Sequence, residues 1–278
     1  MKGIVVTVTI LKGGAGKSTT CCELARMLNS LGNKVLVVDT DQQCNASDRL
    51  LNNYNRYKRE YYTIEDFLVG SCSFEDAIAK NEDLYEEDKG SLKYCDLVMS
   101  SHGLMNADGA LINKDDALLI KKGIDSVRHL YDYILVDSQP SVGIVVFGAM
   151  VAADYLLIPM ESDASSFQNI GTLNEQIIQI KNTLNPDLQV AGILMTRYNN
   201  RSNFNKKMWE MACMAASFMN TKLFDTYIRE SVVVKEARAG KTFLLDYVPK
   251  ANPTVDYLNF AKEFVDTIEL LEYKKGGN

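Results

Sequence analysis

Lys12-Gly13-Gly14-Ala15-Gly16-Lys17-Ser18-Thr19 is the stretch that decides the fold. An apolar, β-branched run from Ile4 to Ile10 leads into it. Thr19 to Leu31 leaves it with Leu24, Met27, Leu28 and Leu31 on one helical face. Strand, glycine loop and helix, in that order, are the setting of a phosphate-cradling loop. The glycines let successive backbone N–H groups turn toward one anion, and the helix N-terminus adds a favourable dipole. In that chemistry Lys17 reaches the β- and γ-phosphates of a nucleotide, and the Ser18 hydroxyl ligates Mg²⁺. The common form of the loop has Gly five residues before Gly16. Leu11 stands there instead, and an additional lysine, Lys12, heads the loop.

Outward from the loop, apolar runs alternate with helical periodicity, the pattern of a mostly parallel twisted sheet flanked by helices on both faces. Strands are expected at Ile4–Ile10, Lys34–Asp39, Tyr94–Met99, Asp132–Asp137, Asp154–Pro159, Leu188–Met195 and Lys222–Thr226. Their near-continuous apolar character suits buried parallel strands. Long helices are expected at Lys17–Leu31, Lys114–Leu130, Gln168–Leu184, Asn203–Met219 and Thr254–Glu272. Short ones are expected at Thr63–Val69, capped by Thr63, and at Phe74–Ala79, capped by Ser73. Asn52–Tyr62 reads as a surface loop and Asn81–Gly90 as an acidic tip. No linker or repeat divides the chain, so a single domain over residues 1–273 is expected, with a frayed tail at 274–278.

In open α/β sheets, ligands bind at the carboxyl ends of the strands. The second strand ends Val38-Asp39-Thr40-Asp41, and the fourth ends Val136-Asp137-Ser138. Singly, each Asp reads as a strand-end turn former. Beside Lys17 and Ser18 they make the set that Mg²⁺-nucleotide hydrolysis needs, with carboxylates to hold the metal and to orient the attacking water.

Composition narrows the class. The 278 residues are 46% hydrophobic and 24% charged, with a net charge of −6. No run approaches the ~18 apolar residues of a membrane span, and Met1 to Ile4 runs straight into the first strand. A cytoplasmic protein is expected. Six cysteines (Cys21, Cys22, Cys44, Cys72, Cys95, Cys213) show no metal spacing and read as reduced structural thiols. His102 and His129 give His-based catalysis little support. Charge is uneven: Met195–Lys241 holds nine Lys/Arg against four Asp/Glu, on an otherwise acidic chain. Such a segment suits a polyanion.

Three motifs together resemble the ParA family of P-loop ATPases, with its MinD-like members. They are Lys12-Gly-Gly-x-Gly-Lys-Ser, Asp39-x-Asp41-x-Gln43-x-Asn45-Ala46, and Asp137-x-x-Pro140-Ser141. Gln42 and Gln139 stand where the family commonly has Pro. The resemblance implies ATP and Mg²⁺ as cofactors, held by Lys12, Gly13, Gly14, Ala15, Gly16, Lys17, Ser18 and Thr19, with Asn199 near the adenine. It implies Asp41 and Lys12 in catalysis, Lys12 crossing to the partner's phosphates in an ATP-sandwich homodimer. Ser18, Asp39 and Asp137 are placed about the metal, Asp39 behind the others. It further implies DNA partitioning on non-specific duplex DNA, with a centromere-binding ParB-like partner and a nucleoid location. The DNA contacts would be Arg201, Arg229, Lys235, Arg238 and Lys241, although Glu230 and Val233 replace usual arginines. The alternative is a MinD-like positioning ATPase that acts on a protein complex without DNA. Its membrane helix is not expected here, because Glu263–Glu272 is amphipathic but acidic, which suits packing onto the domain.

Overall fold

The computed structural model describes residues 2–51, 61–80, 95–110, 115–163, 167, 169–199 and 203–276. Its strands are β1 (Ile4–Val8), β2 (Val35–Thr40), β3 (Ile78–Ala79), β4 (Asp96–Val98), β5 (Tyr133–Ser138), β6 (Tyr155–Glu161) and β7 (Gln189–Thr196). They form one sheet in the order β3-β4-β2-β5-β1-β6-β7. Every neighbouring pair is parallel except β3 with β4. The helices are α1 (Lys17–Ser30), α2 (Asn45–Leu50), α3 (Ile64–Leu68), α4 (Leu104–Ala110), α5 (Leu119–Val127) and α6 (Ile144–Ala152). After them come α7 (Ile170–Thr183), α8 (Asn203–Phe218), α9 (Val232–Ala239), α10 (Leu244–Tyr247) and α11 (Asn252–Gly276).

Alternation along the buried strands sorts side chains to two faces. Val6, Val8, Val35, Val37 and Leu135 pack with α1 and with Tyr257, Phe260 and Phe264 of α11. Val5, Leu36, Val38 and Val136 point the other way, onto α3, α5 and α6. Leu156 and Ile158 extend that second face under α7 and α8. The apolar face of the acidic C-terminal helix is thus spent on the core, as its sequence suggested. Thr63 caps α3 through a reciprocal pair with Asp66.

Three expectations are corrected. Phe74–Ala79 is not a helix: Ser73 and Asp76 close a turn, and Ile78–Ala79 then pairs antiparallel with β4. The buried Phe74 and Ile78 are spaced as on a helix, but the open edge of β4 captures the second of them. Lys222–Thr226 is not a strand. It runs beside β7 through Ile193 N–H to Lys222 O and Phe224 N–H to Ile193 O, both 2.9 Å. Glu263 then takes the N–H groups of Asp225 and Thr226, and the ladder stops. The last helix runs through Lys274 to Gly276, where fraying was expected. Tyr94, Lys114, the tip at Asn81–Gly90 and all of the Asn52–Tyr62 loop except Tyr61 and Tyr62 lie outside the described residues.

Candidate functional site

β1 lies inside the sheet between β5 and β6, and the chain turns at its carboxyl end through Gly14 (φ 79°) and Gly16 (φ 84°), left-handed positions that a side chain would strain. Gly16 stands at the N-cap of α1 with no side chain capping the helix, so the first amides of α1 are left for a ligand. Above them opens a cleft of about 760 Å³. It is lined by Gly13, Gly14, Gly16, Lys17, Ser18 and Thr19 of the loop and α1, by Asp41 and Gln43, and by Arg229, Lys235 and Arg238. Ala15 is buried beneath the loop and holds the Thr196 hydroxyl at 3.3 Å through its carbonyl. Lys17 is buried, its Nζ donating to the carbonyl of Lys12 (2.9 Å). Burial lowers its pKa, against the pull of Asp137 and Asp41.

The two strand-end acids are register partners, Asp39 on β2 facing Asp137 on β5. Asp39 is tied to the protein: Oδ1 accepts from Asp41 N–H (3.0 Å), and Oδ2 from the N–H (2.8 Å) and hydroxyl (2.7 Å) of Ser47. Burial nonetheless pushes its pKa up to about 6. Its carboxylate, held by these three bonds, shapes the turn that carries Asp41. Asp137 is the opposite case. It is fully buried, and neither oxygen has a hydrogen-bond partner of ordinary geometry. Burial and then Asp39 drive its pKa well up, while the nearby Ser18 hydroxyl favours its charged form. An orphaned buried carboxylate beside a hydroxyl on the phosphate loop fits a divalent cation. Asp41 sits at the cleft wall, with Oδ1 accepting from Gln43 N–H (2.9 Å).

Lys12 is held on its own chain. Its Nζ pairs with Glu161 (3.2 Å) at the end of β6 and with Asp163. Glu161 also takes Arg197 (2.7 Å), which reaches Glu230 (3.6 Å). Sequence reasoning missed this network, although Glu161 ends a strand just as Asp39 does. Asn199 is not on the cleft wall; its carbonyl accepts from Asn205 (2.9 Å), while Thr196 and Arg197 supply that end of the cleft.

The basic segment is less free than its composition implied. Arg229 is bidentate on Asp256 (Nη2 to Oδ1 2.6 Å), an ion pair with which a phosphate would have to compete. Lys222 is held by Glu263 (2.8 Å). Lys235 and Arg238 sit on the cleft wall, Lys241 is exposed past the end of α9, and Arg201 lies outside the described residues.

The sheet order, the loop after β1 and the strand-end acids define a P-loop nucleotide-binding fold. Residues 3–190 match the family model AAA_31, described as an AAA domain, and the chain belongs to that family, the ParA/MinD-type P-loop ATPases. It is 28% identical over 267 residues to the chromosome partitioning protein ParA of Myxococcus xanthus, covering 95% of this chain and 88% of that one. Among solved structures it resembles the ATP complex of a substituted McdA from Cyanothece (TM-score 0.78, 22% identity, 98% and 97% of the two chains). It also resembles cobyrinic acid a,c-diamide synthase of Mycobacterium smegmatis with bound ADP and magnesium (TM-score 0.77, 20% identity, 99% and 97%). Those two likenesses concern the fold. Among the described residues, no helix is long and apolar enough to cross a membrane.

Proposed function

We propose that the protein is a partitioning ATPase. It binds ATP with Mg²⁺ in the cleft, pairs into a homodimer around the nucleotide, and holds duplex DNA without sequence preference. A centromere-binding partner then stimulates hydrolysis and release, in the cytoplasm and on the nucleoid. The observation that carries the reading is the convergence of Lys17, Ser18 and Asp41 on one cleft, with the orphaned carboxylate of Asp137 behind Ser18. Lys17 and the loop amides hold the β- and γ-phosphates. Ser18 and Asp137 hold Mg²⁺, which neutralises phosphate charge when bound, and Asp41 orients the water. The relative named as a chromosome partitioning protein supports the biological half. Lys206, Lys207 and Lys241 are exposed cations that suit DNA phosphates.

One observation favours a second reading, a positioning ATPase that acts on a protein complex. Arg197, Lys222 and Arg229, three of the nine cations in the basic segment, are occupied by carboxylates. Two measurements decide. Lys17→Ala is expected to abolish ATP binding, and Asp41→Ala to bind ATP but lose hydrolysis; parental turnover in Asp41→Ala overturns the catalytic assignment. Fluorescence anisotropy of random duplex DNA over a salt series, with Asp41→Ala and Mg²⁺-ATP, is expected to show binding that steepens in salt dependence by about 0.9 per phosphate neutralised. No binding at low salt favours the second reading.

A further inference from the structure

The cleft extends beyond its phosphate loop. Six residues past Lys17 on α1, about 9 Å along the axis, Glu23 is fully buried and paired with Arg49 of α2. Arg49 lines the same cleft and is 4% exposed. The guanidinium lies over the Phe243 ring, 5.4 Å from its centroid, and hydrogen-bonds only through Nη2, to Glu23 and to the carbonyl of Thr242 (3.0 Å). Nε and Nη1 have no hydrogen-bond partner, so three N–H donors of a buried guanidinium are unmet. Native interiors rarely leave such donors without a ligand. α9 brings Lys235 and Arg238 to the wall of the same cleft, and neither joins an ion pair among the described residues. Tyr257 closes the floor, its hydroxyl 3.4 Å from that of Thr20. Arg49 is neutralised by Glu23, so Lys235 and Arg238 leave this end of the cleft positive.

We propose that Arg49, Lys235 and Arg238 form a second anion subsite in the cleft, which takes a phosphate group in addition to those gripped by the loop. The proposal rests on the nucleotide-binding reading above. A guanidinium with unmet donors, in one cleft with two further cations, suits the several oxygens of a phosphate better than a single neutral acceptor. The phosphate is carried on the ribose side of the bound nucleotide or arrives free. The subsite also gives Lys235 and Arg238 a ligand inside the cleft in place of the DNA backbone.

The test compares binding of Mg²⁺-ADP, of ADP bearing a further 3′-phosphate, and of inorganic pyrophosphate to protein saturated with Mg²⁺-ADP, all by calorimetry. The 3′-phosphate is expected to tighten binding about tenfold over ADP if the group rides on the ribose; saturable pyrophosphate binding to the ADP complex marks a free ligand. In Lys235→Ala/Arg238→Ala the tenfold ratio, or the pyrophosphate site, is expected to vanish. Arg49→Met alone strands the buried Glu23, so Glu23→Gln/Arg49→Met is the second variant, and it too is expected to lose the ratio. If ADP binds while neither added phosphate is felt, or if both double variants keep the gain, the subsite is overturned and the loop reading stands. Failure of ADP itself to bind overturns both.

Discussion

At the scale of single residues, Asp137 and Asp39 show how one sequence pattern hides two jobs. Both are buried acids at the end of a strand, yet one is saturated by Ser47 and Asp41 while the other has only the Ser18 hydroxyl nearby and no hydrogen bond of ordinary geometry. Their presence near the loop was legible because strand ends collect ligands. The division of labour was not, because it depends on Ser47, a residue that reaches Asp39 only once α2 has folded. Asp137 costs stability while no divalent cation is bound, since burial outweighs the pull of Lys17 and drives its pKa up. Asp137→Asn is therefore expected to raise stability of the nucleotide-free protein to urea by about 2 kcal/mol. The same variant is expected to lose most of the stabilisation that Mg²⁺ adds on top of ATP, read as a melting shift. An undiminished Mg²⁺-dependent shift in Asp137→Asn rules out its metal role.

At the scale of elements, the long strands and α1 were legible because their apolar periods run unbroken through the segment. The short helices α2, α4, α9 and α10 were not, since each holds too few turns for a period to register and depends on tertiary partners. Ion pairs between elements were equally hidden: Arg229 with Asp256, and Glu23 with Arg49, are chosen by packing and not by spacing. The clasp between α11 and the chain beside β7 makes this testable. Glu263 accepts from Lys222 (2.8 Å) and from the N–H groups of Asp225 and Thr226 (2.9 Å each). Burial raises its pKa, but Lys222 and the two amides outweigh that and hold it below the usual carboxylate range. An acid with a lowered folded pKa gives stability that is present above its unfolded value and lost as pH falls through the folded one. Glu263→Gln is expected to cost about 1–3 kcal/mol at neutral pH. Its urea midpoint is also expected to fall less than the parent's on acidification below about pH 4.5; parallel acid limbs for the two proteins count against the clasp.

At the scale of the whole molecule, the loop lysine poses the question of assembly. The proposed homodimer, through the family resemblance, would take Lys12 to a partner's phosphates, while the single chain shows it spent on Glu161 and Asp163. Both hold if dimerisation exchanges two carboxylates for a more highly charged ligand. Glu161 is not stranded by that exchange, because Arg197 stays on its other oxygen at 2.7 Å. In the proposed dimer the cis pairs would act as a brake, since each subunit would have to break them before closing on its partner. Partly exposed pairs of this kind contribute up to about 1 kcal/mol each, so removing both acids is expected to lower the dimer dissociation constant about tenfold or more. Sedimentation velocity with Mg²⁺-ATP reads this directly. In the hydrolysis-deficient Asp41→Ala background a dimer is expected, Lys12→Gln added to it gives monomer, and Glu161→Gln/Asp163→Asn added to it gives dimer at lower protein concentration. A stable dimer without Lys12 removes the trans contact from the scheme. An unchanged dissociation constant without Glu161 and Asp163 shows instead that Lys12 leaves them at no cost, and that closure is governed elsewhere in the interface.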